Sequence, residues 1–186
     1  MRRLFDLISV LLIIPFAFFP LILISILVKL NSRGPVLFWS KRVGADEKLF
    51  LMPKFRTMNT DAPNIATHLL KDPENFITPV GYFLRHSSLD ELPQLYSVLL
   101  GHMSFVGPRP ALFNQYDLIE LRNIKGIDKL KPGITGWAQV NGRDELSIAD
   151  KVKYEEEYLS KASFSFDIYI IYLTIINSVR KEGITH

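Results

Sequence analysis

Two adjacent carboxylates, Asp90 and Glu91, lie in the run Ser88-Leu89-Asp90-Glu91-Leu92-Pro93-Gln94-Leu95, with Arg85 just before them and Arg109 following in a Pro-Arg-Pro turn. Adjacent carboxylates among cations suit a metal-bound diphosphate. One carboxylate can attack phosphorus to form an acyl phosphate, which splits a displacement into two steps. Its neighbour can hold Mg²⁺, a cation that takes oxygen ligands and neutralises diphosphate charge. The plain alternative is helix capping, because acidic side chains at a helix N-terminus are favoured by its dipole.

Further candidates flank this pair. The segment Gly136-Trp137-Ala138-Gln139-Val140-Asn141-Gly142-Arg143 combines backbone freedom with two side-chain amides and a guanidinium. Read functionally, its glycines let backbone approach a phosphate that Arg143 grips with a planar fork; read structurally, it is a solvated turn. Lys54 and Arg56 share a strand face and have the same two readings. His68, His86, His102 and His186 are scattered without metal-ligand spacing, so no zinc role is assigned. Neither a Walker A loop nor a Rossmann glycine pattern is present.

The elements that must carry these groups follow from periodicity and turn chemistry. Leu92, Leu95, Tyr96 and Leu99 recur at helical spacing up to Gly101, which places Asp90-Glu91 at a helix start capped at Leu89 or Asp90, with Pro93 in the first turn. Val36 to Val43 and Leu49 to Met58 read as short strands joined by a turn at Gly44-Ala45-Asp46-Glu47. Asp61 to Pro79 is polar and proline-broken, a loop or short helix over the site. Gly107 to Pro110 is a rigid turn. Phe113 to Ile124 and Ile148 to Leu159 read as helices, and Gly136 to Gly142 as irregular or extended. Phe164 to Val179 is apolar but short, interrupted by Asp167 and Asn177, so it fits an interfacial or core helix.

At the N-terminus, Ile8 to Val28 is apolar apart from two serines and two prolines, Pro15 and Pro20. Both prolines favour a bend. A helix from Leu7 to Pro20 rises about 20 Å and one from Leu21 to Leu30 about 15 Å, against a hydrocarbon core of about 30 Å, so neither arm spans alone. Arg2 and Arg3 precede the block, and Lys29, Arg33, Lys41 and Arg42 follow it. Cations on both flanks suit a re-entrant helix over residues 7–30 that enters and leaves on the cytoplasmic face. The block lacks a small-residue cleavage site before Lys29, which argues against a removed signal peptide.

The 186 residues suit one domain, with residues 35–186 as a cytoplasmic or interfacial catalytic part. The absence of cysteine excludes disulfides and thiolate chemistry. A net charge of +3 with a pI near 9.1 is mildly basic and better suited to anionic lipid and phosphate than to nucleic acid, for which no binding motif is present. The fold class expected is α+β: the re-entrant helix, then a small, mostly helical catalytic domain with a short β-hairpin and interfacial amphipathic helices.

Four blocks, Lys54-Phe55-Arg56-Thr57-Met58, Ser88 to Gln94, Met103-Ser104-Phe105-Val106-Gly107-Pro108-Arg109-Pro110 and Lys131 to Arg143, closely resemble the monotopic phosphoglycosyl transferases, the bacterial sugar transferase family, and occur in that family's order. The resemblance implies transfer of a sugar 1-phosphate from a UDP-sugar to polyprenyl (undecaprenyl) phosphate, with release of UMP, at the cytoplasmic face of the bacterial inner membrane. By that likeness Asp90 is the covalent nucleophile and Glu91 its Mg²⁺-associated neighbour. Arg143 matches a phosphate-binding arginine, and Lys54, Arg85 and Arg109 match other basic positions; Arg56, Gln139 and Asn141 complete the expected phosphate- and substrate-binding set. An N-acetylated hexosamine is the donor sugar the resemblance favours. The family's frequent Ser-Pro at the helix break is replaced here by Phe19-Pro20, so the bend must rely on Pro15 or on neighbouring helices. The chain resembles the family's small, minimal form. Two rivals remain: a membrane-bound phosphohydrolase using water as acceptor, and a non-catalytic membrane scaffold. Neither oligomeric state nor pathway is indicated.

Overall fold

The N-terminal apolar block forms the longest element of the computed structural model, which describes residues 2–63, 72–142 and 145–180. This helix, α1 (Arg2–Asn31), begins five residues before the expected boundary and stays helical through Pro15 and Pro20. Each proline removes one hydrogen bond, and the flanking turns hold the helix together across the gap. Asp6, Val10, Ala17, Ile24 and Val28 are buried, at intervals of four or seven residues that make a single stripe. Along it pack Phe50, Met52, Leu95, Val98 and Met103 towards one end, and Phe55 and Leu84 towards the other. The remaining faces carry Leu11, Leu12, Phe16, Phe18, Phe19, Leu23, Ile26 and Leu30 on the surface.

Both ends of α1 are tied to the same body. Arg2 Nε lies 2.7 Å from Asp167 Oδ2, and Arg3 donates to the carbonyls of Val98 and Leu99. The buried Asp6 carboxylate accepts from Ser104 Oγ and from the Phe105 N–H at 3.1 Å. At the other end Arg56, itself buried, donates to the carbonyls of Ser32 and Arg33 and to Ser32 Oγ, which satisfies carbonyls that follow the last helical turn.

The hairpin follows as expected, with β1 (Leu37–Val43) and β2 (Leu49–Phe55) antiparallel in a register that sets Lys41 opposite Leu51 and Val43 opposite Leu49. On β2, Phe50 and Met52 face the body, and Lys54 continues that face. The strand ends at Phe55, three residues short of the expected Met58, and the chain turns away so that Arg56 meets α1 while Lys54 points elsewhere.

A helix not read from the sequence, α2 (Pro79–His86), is capped by Thr78, whose Oγ1 accepts from the Gly81 N–H at 3.0 Å. Proline at the first helical position after a threonine is a favourable start. Then Leu89–Gln94 forms a 3-10 helix that runs into α3 (Leu95–Leu100). The single α-helix expected from Asp90 is thus replaced by a tighter first stretch, entered through Ser88 in the left-handed region (φ 56°) and without a side-chain cap. Pro93 within the stretch has no N–H to give an α-helical ladder.

Beyond β3 (Ser104–Val106) come α4 (Tyr116–Ile124), β4 (Gly133–Thr135), α5 (Trp137–Val140), α6 (Ile148–Lys161) and α7 (Phe164–Arg180). Residues expected to be irregular or extended, Trp137 to Val140, form one helical turn. Strands β3 and β4 pair in parallel, so close that a Cβ on Gly107 would lie 2.2 Å from the Lys131 carbonyl oxygen and one on Gly133 would lie 2.1 Å from the Gly107 nitrogen. Ala111, Leu118, Ile127 and Val152 form a separate buried cluster that joins α4 to α6. The result is a mixed helix and sheet fold with an N-terminal apolar helix.

Candidate active site

The 3-10 stretch Leu89–Gln94 packs against β2 and presents both carboxylates to the cations around it. Lys54 Nζ lies 2.7 Å from Glu91 Oε1 and 4.0 Å from Asp90 Oδ2, and Arg109 Nη2 lies 3.1 Å from the same Glu91 oxygen. Asp90 is buried, with 8% of its surface exposed, so two charged donors converge on Glu91 beside a nearly dehydrated aspartate. Arg85, on the last turn of α2, donates from Nε to Thr57 Oγ1 at 2.8 Å and attracts Asp90. That placement depends on α2 crossing the chain closely: a Cβ on Gly81 would sit 2.0 Å from the Thr57 carbonyl oxygen.

Burial pushes the Asp90 carboxyl above the usual aspartate range, Lys54 opposes this, the Glu91 charge adds to it, and Arg85 and Arg109 counteract it. The net direction is upward. A carboxylate nucleophile must be ionised, so activity is lost as pH falls through this raised value. For the nucleophile that the family resemblance makes of Asp90, we therefore expect the acid limb of kcat/KM to lie above the ordinary aspartate value of about 3.9. A pH–rate profile whose acid limb sits at or below that value would contradict the role given to Asp90.

Of the expected site residues, the structure brings together Asp90, Glu91, Lys54, Arg85 and Arg109. Arg56 is not among them, since its two terminal nitrogens are spent on the end of α1. Gln139 Nε2 donates to the Ile134 carbonyl and Asn141 Nδ2 to that of Trp137, so both amides close their own segment. Arg143 and His68 lie outside the described residues. Sequence reasoning missed Arg42 and Gln94, which line the same cleft as Lys54, Glu91 and Arg109. Arg42 is pushed down to about 10 by burial and by the charge of Arg109, with Glu91 opposing, and stays charged at neutral pH. Its signal was the pair Lys41-Arg42, in which strand alternation turns one cation inward.

Among the described residues no group of three or more His, Asp or Glu side chains could hold a metal ion by itself. Mg²⁺ characteristically needs less: one or two carboxylates together with substrate phosphates. Asp90 and Glu91 supply such a pair of hard oxygen donors.

The sequence model of the Bacterial sugar transferase family matches residues 1–181. The chain is 45% identical over 163 residues to the UDP-glucose:undecaprenyl-phosphate glucose-1-phosphate transferase of Escherichia coli, an alignment covering 82% of this chain and 34% of that protein. It is 38% identical over 184 residues to the uncharacterized sugar transferase EpsL of Bacillus subtilis, covering 99% of this chain and 90% of EpsL. The galactosyl transferase CpsE of Streptococcus agalactiae is 38% identical over 159 residues, covering 78% of this chain and 35% of that protein. The chain thus spans about a third of the length of the Escherichia coli and Streptococcus relatives and nearly all of the Bacillus one. A match of this extent, with the paired carboxylates and their cations assembled at one place, shows that the chain belongs to the bacterial sugar transferase family.

Proposed function

We propose that this chain is a phosphoglycosyl transferase that moves a sugar 1-phosphate from a UDP-sugar to undecaprenyl phosphate and releases UMP. The observation that carries the reading is the buried Asp90 beside a Glu91 gripped by Lys54 and Arg109. Printed names of relatives add the substrates: three are UDP-glucose:undecaprenyl-phosphate glucose-1-phosphate transferases, and others are named for galactose. Those names weigh towards a glucose or galactose donor over the N-acetylated hexosamine expected from the resemblance.

The chemistry runs in two displacements. An Asp90 carboxylate oxygen attacks the sugar-linked phosphorus, the bond from that phosphorus to the bridging oxygen breaks, and UMP leaves with the electron pair. A phosphate oxygen of the polyprenyl carrier then attacks the same phosphorus, and Asp90 departs as a carboxylate. Lys54, Arg109 and Arg85 stabilise charge on the transferring group and orient it, which is where most of the acceleration in phosphoryl transfer arises. Asp90 and Glu91 would hold Mg²⁺ together with the diphosphate, and the ion would supply further charge neutralisation.

The exposed apolar faces of α1 favour a lipid environment. We further propose that α1 enters and leaves the inner membrane on its cytoplasmic face. In support, a spanning helix separates its ends by about 30 Å of hydrocarbon, whereas here polar bonds tie both ends to one body. Accessibility labels placed before Arg2 and after Lys41 should both report the cytoplasm, and a periplasmic label at either place overturns that topology.

The decisive assay is UMP release screened across UDP-glucose, UDP-galactose and the UDP-N-acetylhexosamines, with and without undecaprenyl phosphate, in the presence of Mg²⁺. We expect sustained turnover only with the lipid phosphate. Turnover without it would identify a phosphohydrolase, and no release from any donor would leave the scaffold reading.

A further inference from the structure

The turn that delivers Arg109 to Glu91 is held in an unusual way. Its four consecutive carbonyls each accept a hydrogen bond, one from β4, one from α4 and two from β1. Pro108 O accepts from the Gly133 N–H at 2.9 Å, and Ala111 O from the Val43 N–H at 3.0 Å. Between them, Arg109 O accepts from Arg122 Nη2 and Pro110 O from Arg42 Nη1, both at 2.9 Å. The two central partners are therefore guanidinium groups reaching in from α4 and β1.

Each of these arginines is itself oriented by a buried group. Arg122 donates from Nε to Glu155 Oε2 at 2.7 Å and from Nη2 to Glu155 Oε1 at 2.5 Å, a forked pair joining α4 to α6. Arg122 is 8% exposed and Glu155 2%. Arg42 donates from Nε to Ser40 Oγ at 2.9 Å, and Ser40 is equally buried. Such a pair is poor value as a stabiliser, since buried ions lose their hydration and an apolar pair of similar size is often as good. Orientation is what it supplies. Prolines at 108 and 110 fix φ at those positions and restrict the residue before each. Among backbone rotations, both prolines leave φ of Arg109 open; turning it swings the side chain and the Arg109 carbonyl together, and Arg122 holds that oxygen.

We propose that Arg42 and the Arg122–Glu155 pair are positioning residues that aim Arg109 at Glu91 by clamping the carbonyls of Arg109 and Pro110. The proposal rests on the transferase reading for its kinetic consequence, and on the turn alone for its structural one.

The test is the double variant Arg122→Met, Glu155→Leu, which removes the pair without leaving a buried charge unpaired. We expect a melting temperature close to wild type, with kcat/KM for UMP release reduced about ten- to hundredfold, the scale on which small misplacements act. Arg109→Lys, costly in the wild-type background, should then be nearly silent in the double variant, because the two act through one contact. Fully multiplicative effects would mean that they act separately and would overturn the proposal, as would kcat/KM within about twofold of wild type. Hydrogen exchange of peptides spanning Phe105 to Leu112 should accelerate in the double variant. Unchanged exchange overturns the clamp, whether or not the wild-type protein releases UMP from any donor, so failure of the transferase reading is seen separately. If the double variant does not fold, Arg42→Lys carries the same measurements, since an ammonium keeps the charge but cannot fork between Ser40 and Pro110.

Discussion

Asp90→Asn is expected to reduce UMP release about 10³-fold or more, the order seen when a covalent nucleophile is removed from an otherwise intact site. The amide cannot readily attack phosphorus, so both displacements stop. Wild-type protein mixed with UDP-sugar and no acceptor should carry a phosphosugar on Asp90, detectable by intact mass and peptide mapping after rapid quenching, and the variant should carry none. Because Asp90 is buried at the start of a short 3-10 helix without a side-chain cap, the substitution removes no capping bond, and loss of activity with unchanged melting reads directly on chemistry. Robust turnover by the variant would defeat the covalent mechanism.

Glu91→Gln should act differently. Lys54 and Arg109 both converge on Glu91 Oε1, so the amide weakens two charge-assisted bonds at once, together with the oxygen proposed to hold Mg²⁺. A fall of about 10²-fold is expected, with a higher Mg²⁺ requirement, on the scale seen when groups supporting a metal site are lost. The nucleophile remains, so the Asp90 adduct should still form, only more slowly. An adduct mapped to residue 91 in the wild-type protein would reverse the two roles, and near-normal kinetics in Glu91→Gln would remove it from the site.

The carboxylate pair and its nearest cations were legible because they lie in short blocks of distinctive composition. Strand alternation put Lys54 on a face, and the family resemblance put that face in the site. Arg56 shows where that rule ends: the strand stops at Phe55, one residue before alternation would have carried Arg56 to the face of Lys54. The parallel pair β3 and β4 was invisible, because three residues are too few for a period and their partners are far apart in sequence. Arg122 and Glu155 lie on two segments that the sequence identifies only as helices, and only the packing of α4 against α6 buries them. Pro15 and Pro20 announced a bend, and helical structure runs through both from Arg2 to Asn31, as a proline-bent helix allows.

The same stripe of α1 that closes the core has a consequence for how the chain is made. Residues of α1 leave the ribosome before Phe50, Met52, Leu95, Val98 and Met103, which cover the stripe and are complete only when the hairpin and α3 have been synthesised. Asp6 likewise waits for Ser104 and Phe105 before its carboxylate is satisfied. Biogenesis therefore has to shelter a nascent apolar helix with an unpartnered acid near its start. Trimming that helix to remove its exposed apolar faces would also open the interior, because the same helix carries the buried stripe.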